Sequence, residues 1–139
     1  MDANFHDKLS DYQAEIVSYA CDVLKKEPNM VFVLADMARY APGYTIYYYV
    51  KGKICTQAEL KPSRKAAEFG HELSMNIHYM TEHFVKNGME APVWAKLYYD
   101  VRTSEFKAEY HYPEEGVEEK DWLDLADEWH EELKRTYNS

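Results

Sequence analysis

The sequence predicts an α+β fold in which an antiparallel sheet of about five strands carries three helices, in the order α-βββ-α-ββ-α. Three segments repeat apolar residues at helical spacing, and five shorter segments have the apolar or alternating pattern of strands. Most of these strands are separated by turns too short to hold a crossover helix, which indicates antiparallel pairing. The chain has 139 residues, of which 46% are hydrophobic. That is enough for one core, so we expect a single domain over residues 1–139.

The first helix is predicted from steps of four and three between apolar residues, which place Phe5, Leu9, Tyr12, Ile16, Tyr19 and Val23 on one face. Asn4 is expected to cap its start, and Pro28 to stop it.

Three strands are predicted next. Met30 to Ala38 is apolar except for Asp36, as expected of a central strand. After the break at Pro42-Gly43, Tyr44 to Val50 has period-two alternation, and Lys51-Gly52-Lys53 is expected to turn the chain into a third strand through Cys55.

The second half of the chain contains two helices and two strands. A long helix is predicted from Ser63 to the stop at Asn87-Gly88. Strands over Val93–Val101 and Phe106–Tyr112 are joined by a short polar turn, and a last helix runs from Asp121 with its apolar stripe at Trp122, Leu125, Ala126, Trp129, Leu133 and Tyr137.

Motifs of enzymes are not evident. Every glycine is isolated, no serine lies in a nucleophile elbow, and Cys21 and Cys55 are far apart, as expected of two buried, unreactive thiols. His78 and Glu82 are four residues apart, but such a pair on a helix is most often solvated. We therefore expect no catalytic activity, no metal and no cofactor.

The charge of the chain is uneven. The formal net charge is −9, which argues against direct binding to nucleic acid or to an anionic membrane. Residues 100–139 contain 13 acidic and 5 basic residues and so carry −8 of this charge. A basic partner is the natural complement of such a segment.

The acidic residues continue into the middle of the last helix. Asp124/Glu128, Asp127/Glu131 and Glu128/Glu132 are like-charge pairs four residues apart, each costing about 0.2–0.5 kcal/mol. They form either a solvated face or a docking surface for a basic partner. The candidate partner-binding acids are Glu114, Glu115, Glu118, Asp124, Asp127, Glu128, Glu131 and Glu132.

Tyrosine is the second unusual feature, with 13 in the chain. Tyr44 and Tyr48 are expected to face the core, because they share the apolar face of the second strand. Tyr47 and Tyr49 fall on the opposite face, which is exposed if the helices cover only one side of the sheet. They are therefore candidate partner-binding residues.

The pattern resembles the YezG-like family of bacterial immunity proteins. The resemblance covers the element order over nearly the whole chain, the tyrosine-rich region Val31 to Val50, Gly88 followed by Trp94-Ala95-Lys96-Leu97, and Phe106 to Tyr112 leading into a helix that contains Trp129. It implies a cytoplasmic antitoxin that binds and neutralises a cognate toxin domain, basic and a nuclease, without contacting nucleic acid or membrane. The alternative is an acidic adaptor, or nucleic-acid mimic, that docks on a basic host protein.

Overall fold

A computed structural model describes residues 3–38 and 43–138 of the chain. Pro42, part of the predicted break, lies outside them. The helices are α1 (Ala3–Asp22), α2 (Ala66–Lys86) and α3 (Trp122–Tyr137). The strands are β1 (Met30–Asp36), β2 (Tyr44–Val50), β3 (Lys53–Thr56), β4 (Trp94–Asp100) and β5 (Glu105–His111). They form one antiparallel sheet in the order β3-β2-β1-β4-β5, so the predicted α-βββ-α-ββ-α fold is confirmed.

Two helix starts differ from the prediction. The first helix begins at Ala3, so Asn4 lies inside it and the predicted cap is wrong. The second helix begins at Ala66 rather than Ser63. The amide of Ser63 instead donates to the carbonyl of Val23 at 2.8 Å, which ties the segment before α2 to the end of α1.

The helices cover both faces of the sheet. On one face, α1 and α2 pack on each other and on Val31, Val33, Ile46, Tyr48 and Leu97. On the other face, α3 packs alone, with a core cluster formed by Met30, Phe32, Leu34, Tyr47, Ile54, Leu125, Ala126, Trp129 and Leu133. The result is a three-layer arrangement with the sheet in the middle.

The central strand explains this arrangement. All seven residues of β1 are buried, and consecutive side chains point to opposite faces of the sheet. A strand that is apolar on both faces must be covered on both, since exposing either face would leave several large side chains in water. The predicted stripe of α3 supplies the second cover, because Leu125, Ala126, Trp129 and Leu133 are all buried.

Gly52 and Gly88 lie in the turn and at the helix end where they were predicted. Lys51 and Gly52 both have positive φ, 51° and 79°, which is the two-residue turn that matches the twist of a hairpin. Gly88 has φ 74° after the last turn of α2, and its amide donates to the carbonyl of Val85 at 3.0 Å.

Candidate protein-binding surface

The outer side of α3 carries the densest group of acids. With its apolar stripe held against the sheet, the helix leaves five of the predicted partner-binding residues exposed: Asp124, Asp127, Glu128, Glu131 and Glu132. We call these five residues the α3 acidic face. The structure therefore brings together most of the acids that the sequence singled out.

Only part of this charge is neutralised. The Glu128 carboxylate lies 2.5 Å from the Lys120 ammonium, and the Glu131 carboxylate 2.7 Å from that of Lys134. The hydrogen bond from Lys134 lowers the pKa of Glu131 below its usual value. Within the described residues, no Lys, Arg or His lies at ion-pair distance from Asp124, Asp127 or Glu132. These three carboxylates are the uncompensated part of the face, and of the three, Asp124 and Asp127 lie farthest from the sheet, opposite the buried stripe.

The segment before α3, residues 113–121, is exposed and lies beside the helix. The carboxylate of Glu119 lies 3.1 Å from the imidazole of His111 on β5, and that imidazole stacks on Trp94 with the ring centroids 4.7 Å apart. Together with the Lys120–Glu128 pair, this contact fixes the segment to β5 at one point and to α3 at another.

A cleft of about 360 Å³ lies between this segment, α3 and β4. Four predicted partner-binding residues line it: Glu114, Glu118, Glu128 and Glu132. The cleft also contains cations, because Lys120 lines it and the Lys96 ammonium lies 5.1 Å from the Trp94 ring centroid and 5.4 Å from that of Trp129. Its charge is therefore mixed, whereas Asp124 and Asp127 lie on the outer side of α3 and do not line it. Glu115 is exposed but does not line the cleft.

Two exposed apolar residues near the acids were not predicted as part of the surface. Leu123 is 69% exposed at the start of α3, and Val117 is 58% exposed in the preceding segment. Leu123 is four residues before Asp127 and so lies on the same side of the helix. The exposure of Leu123 could have been predicted from the sequence, since it is a large apolar residue outside the apolar stripe of the helix.

Tyr47 was expected to be exposed if helices covered only one side of the sheet, and α3 covers the other side, so its assignment as a partner-binding residue is wrong. Its side chain is 5% exposed beneath α3, its hydroxyl donates to the Ala126 carbonyl at 3.0 Å, and its ring stacks on His130 with centroids 4.6 Å apart. Burial, and then the charge of Asp127, raises its pKa. Tyr47 therefore holds α3 to the sheet and offers no surface to a partner.

Tyr49 is half-buried rather than open to solvent. Its ring lies 6.0 Å from that of Tyr137 and 5.6 Å from the Arg102 guanidinium. Tyr44 and Tyr48 face the α1/α2 side, as predicted: Tyr48 is fully buried and Tyr44 packs at the edge of that core cluster.

The other candidate groups have structural contacts. His78 pairs with Glu82 at 3.1 Å on α2, and His83 is buried with its Nε2 2.9 Å from the Phe5 carbonyl oxygen. Cys55 is buried, while Cys21 is half-buried and burial raises its pKa to about 12. In the part of the chain that the structure describes, no three His, Cys, Asp or Glu side chains lie together in a group that could hold a metal ion.

The helices over residues 3–38 and 43–138 include none that is long and apolar enough to cross a membrane. The chain matches neither the models of known protein families nor any curated protein. The fold and the surface define an α+β protein with helices on both faces of its sheet and an acidic, partly unneutralised outer helix.

Proposed function

We propose that this protein is an immunity protein that binds a basic toxin domain, a nuclease, through the α3 acidic face. The observation that carries the proposal is the pair of exposed carboxylates at Asp124 and Asp127, which have no cation at ion-pair distance in the described residues. The sequence resemblance to bacterial immunity proteins gives the class of partner.

The fold gains little from these two charges. Asp124 lies in the first turn of α3, where the helix dipole favours an acid by about 0.3–1 kcal/mol, and Asp127 lies beyond that turn. Both lie opposite the buried stripe, and each has a like-charged residue four positions along the helix at Glu128 or Glu131. The Lys120 and Lys134 pairs neutralise only those later residues, and exposed ion pairs add little stability. A basic partner would convert this repulsion into attraction across an interface.

A nuclease suits this surface physically. The cleft of a nuclease attracts phosphate and is therefore basic, so an acidic helix accelerates encounter and favours the correct orientation. Leu123, beside Asp127, supplies an apolar contact that can be desolvated at the centre of the interface. Such an inhibitor protects the cell that makes the toxin, and the proposal therefore places the protein in the cytoplasm.

Affinity capture from the native cell tests the proposal, with the wild-type chain as bait. We expect a basic protein to co-purify, to degrade nucleic acid when freed of the bait, and to be inhibited when the two are mixed. Recovery of a basic protein without nuclease activity would replace the immunity function with that of an acidic adaptor. A captured nuclease that stays active in the complex would contradict inhibition.

A further inference from the structure

The two edges of the sheet differ in how their backbone groups are satisfied. On β3 the amide of Ile54 donates to the Asn138 side chain at 2.7 Å, and that of Thr56 to the Glu59 carboxylate at 2.9 Å. These bonds occupy the edge and block another strand from pairing there. Nothing comparable covers β5, the other edge strand, within the described residues.

Three residues of β5 point their backbone amides and carbonyls away from the sheet. The carbonyl of His111 accepts from the Val93 amide at 2.7 Å, so His111 turns its polar backbone groups towards β4. Because alternate residues of a strand point these groups to opposite sides, the amides and carbonyls of Phe106, Ala108 and Tyr110 point away from the sheet. These groups have no hydrogen-bond partner among the described residues, and Ala108 lies at the centre of the seven-residue strand.

The sequence of β5 is complementary to itself in the antiparallel direction. If two copies pair with Ala108 opposite Ala108, Lys107 of each copy lies opposite Glu109 of the other, and Phe106 lies opposite Tyr110. Glu105 then lies opposite His111. Each opposed pair joins either opposite charges, an acid and an imidazole, or two aromatic rings, which are the favourable cross-strand combinations.

The side chains and space around β5 suit this pairing. Phe106 is 39% exposed and borders a groove of about 540 Å³ between α1 and the sheet, lined by apolar groups including Val17 and Val101. The Lys107 ammonium lies 3.0 Å from the Glu109 carboxylate within one strand, and both side chains are well exposed. The small side chain of Ala108 leaves the centre of the pairing open.

We propose that two copies of this chain associate through β5 as a two-fold dimer with Ala108 at the axis, which joins their sheets into one. The four charged groups of Lys107 and Glu109 in the two copies then form a square of alternating sign. Because the axis is perpendicular to the sheet, both α3 helices lie on the same side. The dimer carries two acidic faces on one side of the joined sheet, separated by the strands between α3 and β5.

Charge exchange on β5 tests the dimer, with the association state measured by sedimentation velocity across a concentration series. The wild-type chain is expected to reach twice its mass of 16.4 kDa. Lys107→Glu places four glutamates in the square and Glu109→Lys places four lysines there. Each is expected to raise the dimer dissociation constant by about tenfold or more.

Mixing the two variants is the decisive step, because a pair formed by one copy of each again opposes Lys to Glu. We expect the mixture to recover a heterodimer, which also shows that both variants are folded. Glu115→Lys makes the same charge change away from β5 and is expected to leave the dimer intact. A wild type that stays monomeric at every concentration, or a dimer unaffected by either substitution on β5, would overturn the proposal.

A cross-link gives a second measurement that does not depend on charge. Ala108→Cys puts two thiols at the axis with their Cα atoms about 5.5 Å apart, within disulfide range. Oxidation is expected to give a covalent dimer, and Glu115→Cys, as the matched control, is expected to give none. Failure of Ala108→Cys to cross-link would contradict the register.

Discussion

Tyr47 and Tyr48 attach helices to opposite faces of the sheet, and their hydroxyl groups give a direct test of the three-layer arrangement. The Tyr47 hydroxyl donates to the Ala126 carbonyl of α3 at 3.0 Å, and that of Tyr48 to the Ala20 carbonyl of α1 at 2.7 Å. Replacing either tyrosine by phenylalanine removes one buried hydrogen bond and keeps the ring. The Ala126 carbonyl lies inside α3 and accepts a bond within its own helix as well. The Ala20 carbonyl lies in the last turn of α1, where the Leu24 amide donates to the Cys21 carbonyl at 3.1 Å instead, so the Tyr48 hydroxyl is its one donor among the described residues.

The expected loss for Tyr47→Phe is therefore the net value of one hydrogen bond, about 1 kcal/mol. Tyr48→Phe leaves the buried Ala20 carbonyl without its donor and is expected to cost more, about 1–3 kcal/mol. For a chain of this length, each 1 kcal/mol corresponds to a fall in Tm of about 3 °C. The double variant is expected to lose the sum of the two, because the two hydroxyls bond different helices and share no contact.

Urea unfolding followed by circular dichroism measures these changes, with Tyr49→Phe as the matched control. The Tyr49 hydroxyl makes no hydrogen bond to any described residue, so its removal is expected to leave the free energy of unfolding unchanged. If Tyr47→Phe were neutral while Tyr49→Phe were costly, α3 would not lie on β2 as the structure places it.

Three further predictions concern other contacts. A Cβ at Gly70 would lie 2.5 Å from the Tyr44 hydroxyl. Gly70→Ala is therefore expected to add no stability in thermal unfolding of the wild type, but about 1 kcal/mol from helix propensity in a Tyr44→Phe background. A full gain in stability in both backgrounds would contradict the close approach. Asn138→Ala removes the 2.7 Å bond to the Ile54 amide and is expected to speed hydrogen exchange at that amide, whereas unchanged protection would show that the edge of β3 is closed in another way. Burial, and then the charge of Glu109, raises the pKa of Tyr98 from 10.0 to about 12, so the stability that its neutral form adds is full below pH 10 and lost as the pH rises through about 12. Urea unfolding at alkaline pH should show this decline in the wild type and a shallower one in Tyr98→Phe.

The order of helices and strands was predictable because each element has a strong local pattern. The three helices repeat their apolar residues at helical spacing, and Lys51-Gly52 and Gly88 are at turns that need positive φ. The start of α1 was not predictable from the sequence. Asn4 is a favourable N-cap residue by type, but the structure places it inside the helix, and local sequence does not determine that position. Helix ends are decided by a few backbone bonds that periodicity does not report.

The layering was harder to predict because β2 is aromatic on both faces. Alternation alone assigns Tyr48 to the core and Tyr47 to the opposite side, but it does not say whether that side is covered. The missing information was in β1, whose uninterrupted apolar run from Met30 to Ala35 requires burial on both faces. That requirement places α3 on the second face and buries Tyr47.

The acidic surface was predictable as a region but not in its details. Counting charges identified the last forty or so residues, and helical spacing put Asp124, Asp127 and Glu131 on one side. Which acids are neutralised depends on contacts such as Lys120 with Glu128, eight residues apart, and no helical rule pairs those positions.

The most direct test of the account is the affinity of the captured partner for two charge-reversed forms of the protein. Asp124→Lys with Asp127→Lys reverses two of the three uncompensated acids of α3, and Asp7→Lys with Asp11→Lys makes the same charge change on exposed positions of α1. We expect the α3 variant, though folded, to bind at least about tenfold more weakly at low salt, while the α1 variant binds almost as the wild type does. Equal affinity of the two variants would contradict the proposal that the α3 acidic face binds the partner.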